Sequence, residues 1–257
     1  MSETRTSPLH DASILPNWFN SDAGKDLLAD EVASLATLVP DQFYRVGLQF
    51  GLTTEELMTD MNVEQAIYCD SGLLRSPGSF ENVIAVPEAL PLADSSIDLA
   101  LLFHTLDYCA DPHRVLREVS QSLSPEGVLV LTGFHPYSLW GAKRRLGDKQ
   151  PPFNARFISR RVAQDRLELL GFKPLTGCMI NYCLPRLNKR WRGRLEWMNR
   201  TGDRWWPTLG AVYVLVVQKK IYSGLSVKNM GRQPRRWFPE LKPAQAKVAQ
   251  FKPPAKS

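Results

Sequence analysis

Cysteine is scarce in this sequence. The four thiols, Cys69, Cys109, Cys178 and Cys183, form no C-x-x-C pair. That spacing points away from a zinc site or any other metal site and from a disulfide framework, and toward reduced structural thiols in a cytosolic protein. No apolar run approaches the roughly 18 residues that a membrane-spanning helix needs. The first residues, MSETRTSPLHDAS, carry acids and lack an apolar core. No secretory signal is therefore expected, and a cytoplasmic location is. Internal repeats are absent. Acids are nearly missing from 221–257, where eight bases face the single acid Glu240, so that segment carries +7 and the rest of the chain sums to about −1. The basic balance belongs to this tail, which has little periodicity and is expected to be disordered. Such a tail gives non-specific contact with polyanions, whether RNA, DNA or anionic lipid, without specifying any of them.

What the chain does have is apolar content, 44% over 257 residues, enough for one α/β domain with a full core. Asn82 to Phe134 reads as a complete βαβ unit. Ile97–Phe103 (IDLALLF) is an almost continuous apolar run, the form of a parallel strand covered on both faces. Asp111-Pro112 starts a helix, because the carboxylate can cap free N–H groups and proline suits the first helical position. Val115, Leu116, Val119 and Leu123 keep helical spacing. Ser124-Pro125-Glu126-Gly127 is expected to stop that helix, and Val128–Leu131 to form the next strand.

The segment LPLADSSIDLALLFHTLDYCADPHRVLREVSQSLSPEGVLVL resembles the core of class I S-adenosylmethionine-dependent methyltransferases, the type 11 branch in particular. Leu90-Pro91-Leu92, Asp94, Ile97-Asp98 and Leu123 to Gly127 carry the likeness, which covers roughly Gln42 to Lys220. The H-T-L…D-P-H-R-x-L-R-E run is similar to that of a subgroup of uncharacterised bacterial methyltransferases. The resemblance implies a Rossmann-like α/β fold: a seven-stranded, mostly parallel sheet with an antiparallel last strand and helices on both faces. It implies S-adenosylmethionine as cofactor.

Along the chain, residues 1–21 form an N-terminal extension with Trp18 and Phe19 packing on the domain, which spans 22–220. Ser21 caps a helix reaching about Val39, with Leu27, Leu28, Val32, Leu35 and Leu38 on one stripe, and Pro40 ends it. Phe43–Leu48 is the expected first strand. Gly47-Leu48-Gln49-Phe50-Gly51 then stands where the family carries G-x-G-x-G, with Gln49 at the middle glycine and Arg45 in place of an acid. A helix over Thr54–Met61 and a second strand, Gln65–Cys69, follow. Asp70 closes that strand nineteen residues after Gly51, where an acid can accept from a ribose diol; a plain Asp-Ser-Gly turn is the alternative. Val83–Val86 is the third strand, with Val86 where the family has an acid, so adenine would rest on Glu88, Ala89 and Leu90.

His104 follows the fourth strand, at the end of the sheet where such folds bind ligands. The resemblance makes it the candidate base, although methyl transfer needs proximity more than a dedicated base. Phe134, His135, Tyr137 and Trp140, after the fifth strand, together with His104, are the candidate acceptor walls; packing of a connection over the sheet is the alternative. Ser159–Leu170 is a helix with Val162, Leu167 and Leu170 inward and Gly171 as its stop. Thr176–Cys183 and Ala211–Gln218 read as an antiparallel hairpin around an Arg/Trp-rich insertion, 186–207. The leading expectation is an S-adenosylmethionine-dependent methyltransferase with a small-molecule or lipid-like acceptor. Arg45, Gln49 and Val86 favour the alternative, the same fold without catalysis serving as a binding module, in contact with nucleic acid through the tail.

Overall fold

The computed structural model describes residues 14–51, 57–70, 81–147, 150–181 and 209–220. Helices α1 (Ile14–Phe19) and α2 (Asp22–Leu38) precede strands β1 (Tyr44–Phe50), β2 (Val63–Asp70), β3 (Glu81–Ile84) and β4 (Ile97–Leu102). Then come α3 (Thr105–Tyr108), α4 (Pro112–Ser122), β5 (Leu123–Phe134), α5 (Leu139–Arg145), α6 (Arg160–Leu169), β6 (Phe172–Ile180) and β7 (Val212–Lys219). The strands form one sheet in the order β3-β2-β1-β4-β5-β7-β6. β1 to β5 pair in parallel, and β7 runs antiparallel between β5 and β6. This is the architecture the sequence predicts.

Alternation along the strands divides the core into two layers. Leu99, Leu101, Val128, Val130, Val212, Val214 and Val216 face one side, where Phe19, Leu27 and Leu35 of the N-terminal helices cover them. Ala100, Leu102, Leu129, Leu131, Tyr213 and Leu215 face the other, under Val115 and Val119 of α4 and Ala163 and Leu167 of α6. Each fully buried aliphatic side chain contributes about 1.5–3 kcal/mol by leaving water. The predicted caps form. Ser21 Oγ accepts from Gly24 N–H, and Asp111 accepts from the N–H groups of His113 and Arg114.

Several expectations need correction. β3 covers Glu81–Ile84 rather than Val83–Val86, and β6 starts at Phe172 rather than Thr176, both because their ladders with β2 and β7 extend the pairing toward the start of each strand. β1 runs on to Phe50, because Leu48 and Phe50 are buried strand formers that pair with β2 and β4 on both sides. Residues 57–60 form turns rather than the end of a helix, and 52–56 lie outside the described residues. Ser124 to Gly127 does not separate α4 from the next strand but is part of β5. The register there jumps from Ile97↔Leu123 to Leu99↔Val128, and Glu126 takes a φ of 65°, so the turn residues are absorbed as an irregularity in the ladder. Val162 of α6 is 41% exposed, and Ala163 and Gln164 face inward in its stead. Asp98, one of the residues that carry the family likeness, ties this corner together. Its Oδ2 accepts from the N–H groups of Arg45 and Val46, and its Oδ1 from the Ser124 hydroxyl. Cys69, Cys109 and Cys178 form no disulfide, and burial raises the first two thiols to about 11 and about 12. Cys183, the insertion 186–207 and the tail lie outside the described residues. Among the described residues no helix is long and apolar enough to cross a membrane.

Candidate active site

Five parallel strands end on one edge of the sheet, and the sequence-predicted residues divide there into three groups. The first lies at β1, β2 and β3. Gly51, just past β1, has a φ of 81°, and a Cβ at that position would stand 2.5 Å from the Phe103 carbonyl oxygen. Only glycine satisfies both demands. Its N–H donates to Cys69 O at 3.3 Å, which sets it beside Asp70. Asp70 in turn pairs with Ile84 in the ladder, and Ala85 N–H donates to Asp70 O. Ile84 is 68% exposed and Val86 40%. Two bare aliphatic side chains thus flank a half-buried carboxylate at the mouth of the sheet. The sequence signal for this surface was Val86 standing where an acid was expected.

Gly47 does not join this group. It sits inside β1, with its backbone paired to Ala66 and Leu99, and a Cβ there would press on Met58 Sδ at 2.7 Å and Val63 Cγ1 at 3.0 Å. Packing accounts for this glycine. Gln49 is fully buried, and its Oε1 accepts from Leu57 N–H. Arg45 is exposed six residues before Gly51, roughly 20 Å away at the rise of a strand, too far to repel a cation at the sheet edge. Glu88 Oε1 accepts from the N–H groups of Ala110 and Asp111, so it braces the start of α4. Ala89 is exposed and Leu90 is buried in the core.

The second group is centred on His104, which is fully buried. Its Nε2 lies 2.8 Å from Glu31 Oε1 and its Nδ1 2.9 Å from Asp107 Oδ2. Phe134 stacks on the ring at 4.1 Å, while Phe134 N–H donates to Asp107 Oδ2. The left-handed backbone of His104 (φ 50°) costs about 1–2 kcal/mol, held in place by Thr132 Oγ1, which accepts from its N–H. Burial alone would lower the imidazole pKa. The Glu31 charge and the hydrogen bonds to Asp107 and Glu31 prevail and push it up to about 9. Burial raises the carboxyls of Glu31 and Asp107, each of which keeps one oxygen buried without a partner among the described residues. The Glu31 charge thus favours the imidazolium form of His104, and with both ring nitrogens engaged by carboxyl groups neither is open to a substrate. Glu31 was overlooked in the sequence, yet it sits midway between Leu27 and Leu35 at four-residue spacing, a carboxylate within an apolar stripe.

The third group follows β5. Phe134 and Trp140 are 0% and 1% exposed and belong to the core rather than to an open wall. His135 and Tyr137 instead line a cleft of about 210 Å³ together with Ser159, Arg160, Arg161, Met179 and Leu209. Burial, aided by the Arg160 charge, lowers the His135 pKa to about 4, so the ring is neutral.

Residues 46–131 match the family described as methyltransferase domain, type 11. That stretch, a third of the chain, is similar to the methyltransferase domain, and the sheet has the strand order of the class I methyltransferase fold. An uncharacterised protein of Escherichia coli, YafS, is 31% identical over 169 residues, 64% of this chain and 65% of that protein. The ubiquinone/menaquinone C-methyltransferase UbiE of Acidiphilium cryptum is 34% identical over 113 residues, 43% of this chain and 45% of that one. The chain thus spans less than two thirds of the length of these relatives. An S-adenosylmethionine-dependent methyltransferase of Thermotoga maritima superposes with a TM-score of 0.60 at 20% identity, covering 82% of this chain and 97% of that one, a likeness of fold. S-adenosylmethionine is the cofactor that the methyltransferase domain implies, and the reading of a fold without catalysis gains no support from these matches. The residues present fit the adenosine part of that cofactor. Exposed Ile84 and Val86 offer apolar surface, Asp70 an acceptor for paired hydroxyls, and Gly51 a backbone that can be approached closely.

Proposed function

We propose that this protein transfers a methyl group from S-adenosylmethionine to a small-molecule acceptor. The observation that carries the reading is the meeting of Gly51, Asp70, Ile84 and Val86 at the carboxyl edge of a methyltransferase domain. When bound, the cofactor supplies an electrophilic methyl on a sulfonium. Asp70 would hold its ribose diol, and Ile84 and Val86 would cover one face of the adenine and keep water from it. His104 acts as a positioning residue: through Asp107 and Phe134 it fixes the end of β5, and through Glu31 it fastens α2 over the same edge. The cleft at His135 and Tyr137 is the place for the acceptor, and its size suits a small molecule better than a lipid chain. With no base required, the reaction depends on alignment and on excluding water.

Calorimetric titration of S-adenosylmethionine and S-adenosylhomocysteine tests this reading. Micromolar binding is expected, and Asp70→Ala should weaken it about tenfold or more, the loss of a hydrogen-bonded charged group, with the thermal midpoint unchanged. Unchanged affinity removes Asp70 from the site. No heat and no thermal shift at millimolar ligand would overturn the proposal. The tail at 221–257 carries a separate expectation: its deletion should abolish salt-sensitive polyanion binding and leave cofactor affinity as it was.

A further inference from the structure

The cleft at the end of β5 has a one-sided chemistry. His135 is only 6% exposed, and its Nδ1 accepts the Arg160 N–H at 3.4 Å. That use of the Nδ1 lone pair fixes the tautomer, because a neutral imidazole with Nδ1 as acceptor carries its proton on Nε2. The ring edges against Tyr137 at 5.6 Å, and among the described residues Nε2 has no partner. A nearly buried ring, whose Nε2–H lacks an acceptor among the described residues, thus lines the cleft. The charged residues around it have one sign. Arg160 and Arg161 line the cleft, Arg145 lies over the Tyr137 ring at 5.6 Å, and no carboxylate lines it among the described residues. Ser159 Oγ already accepts from Val162 N–H, so its hydroxyl has a proton to donate. The remaining walls are apolar: Met179, the exposed Tyr137 ring and Leu209, which is 43% exposed.

We propose that this cleft binds an organic anion, its carboxylate or phosphate held by the Nε2–H of His135 and the Arg161 guanidinium and its apolar body resting on Tyr137, Met179 and Leu209. The acceptor of the proposed reaction is then an anionic small molecule, a step that rests on the methyltransferase reading, whereas the anion site itself does not. A guanidinium and a fixed N–H donor converge on anionic oxygens and give a neutral analogue nothing of equal strength. The low pKa of His135 agrees with this arrangement, since the ring keeps a single donor across the neutral range.

The test is calorimetric titration of the full chain with benzoate, phenyl phosphate and neutral benzamide, each with and without S-adenosylhomocysteine. Benzoate or phenyl phosphate should bind, the tighter of the two naming the anion class, and benzamide should bind about tenfold more weakly. Arg161→Gln, at an exposed position, should weaken the anion about tenfold while leaving S-adenosylhomocysteine affinity in place. In His135→Gln the side-chain amide keeps one donor, and part of the affinity should return relative to His135→Ala. Equal binding of benzoate and benzamide, no binding of either anion, or an Arg161→Gln protein as tight as the parent would each overturn the inference. Anion binding without S-adenosylhomocysteine binding supports the cleft and sinks the methyltransferase reading; the reverse pair of results does the opposite.

Discussion

Replacing Glu31 by alanine should lower the unfolding free energy by about 3–5 kcal/mol, the usual cost of removing one member of a buried ion pair. The substitution leaves the His104 Nε2–H facing a void, and it removes the charge that chiefly holds the ring protonated against burial. Urea denaturation reads the loss directly. Glu31→Gln, which keeps a carbonyl oxygen for Nε2–H, should cost much less. The same trio sets a pH dependence. The folded pKa of His104, about 9, exceeds its ordinary value of 6.5, so its contribution is complete below pH 6.5 and disappears as the pH rises through 9. Glu31 and Asp107, raised by burial, act in the same direction, because the unfolded chain gives up their protons first. Stability of the parent protein should therefore fall between pH 6.5 and 9, by on the order of 3 kcal/mol. In Glu31→Gln the fall should be much shallower. A flat profile in the parent would show that His104 is neutral in the folded state.

Gly51→Val should be nearly as damaging, and for a different reason. A β-branched residue at a φ of 81° is strained, and its Cβ meets the Phe103 carbonyl, a backbone atom that cannot swing aside. Strain and overpacking together should cost about 3 kcal/mol. S-adenosylhomocysteine affinity should fall as well, since the side chain would fill the approach beside Asp70. Gly47→Ala separates the two glycines. Its Cβ meets the end of the flexible Met58 side chain and Val63, so it should cost about 1 kcal/mol and leave the ligand affinity as it was. Loss of affinity in Gly47→Ala with none in Gly51→Val would reverse the assignment.

Much of the fold was legible because its signals are local. Ser21, Asp111 and Ser159 cap the helices they start, and the almost continuous apolar runs of β4 and β7 require cover on both faces, as they have. The end of β1 was misread because spaced glycines suggested a loop, while burial of Leu48 and Phe50 between two neighbouring strands favours continued pairing. The site was legible in part. Asp70 and Gly51 stand where chain order puts them. The state of His104 was not readable, since its second partner lies 73 residues away and a lone glutamate on a helix gives no hint of what it will meet. Exposure of Ile84 was equally hidden, because a strand sequence does not tell whether a helix will cover its end.

The β6–β7 hairpin has a consequence for how such a protein diversifies. Ile180 faces Val212, and Ala211 N–H donates to Asn181 O, so the chain leaves the sheet and returns to it at one closed stem. That stem is a single joint in a finished scaffold. The length and composition of a segment carried there can be exchanged like a cassette without shifting the register of any strand, so one scaffold can be refitted by recombination at a single joint.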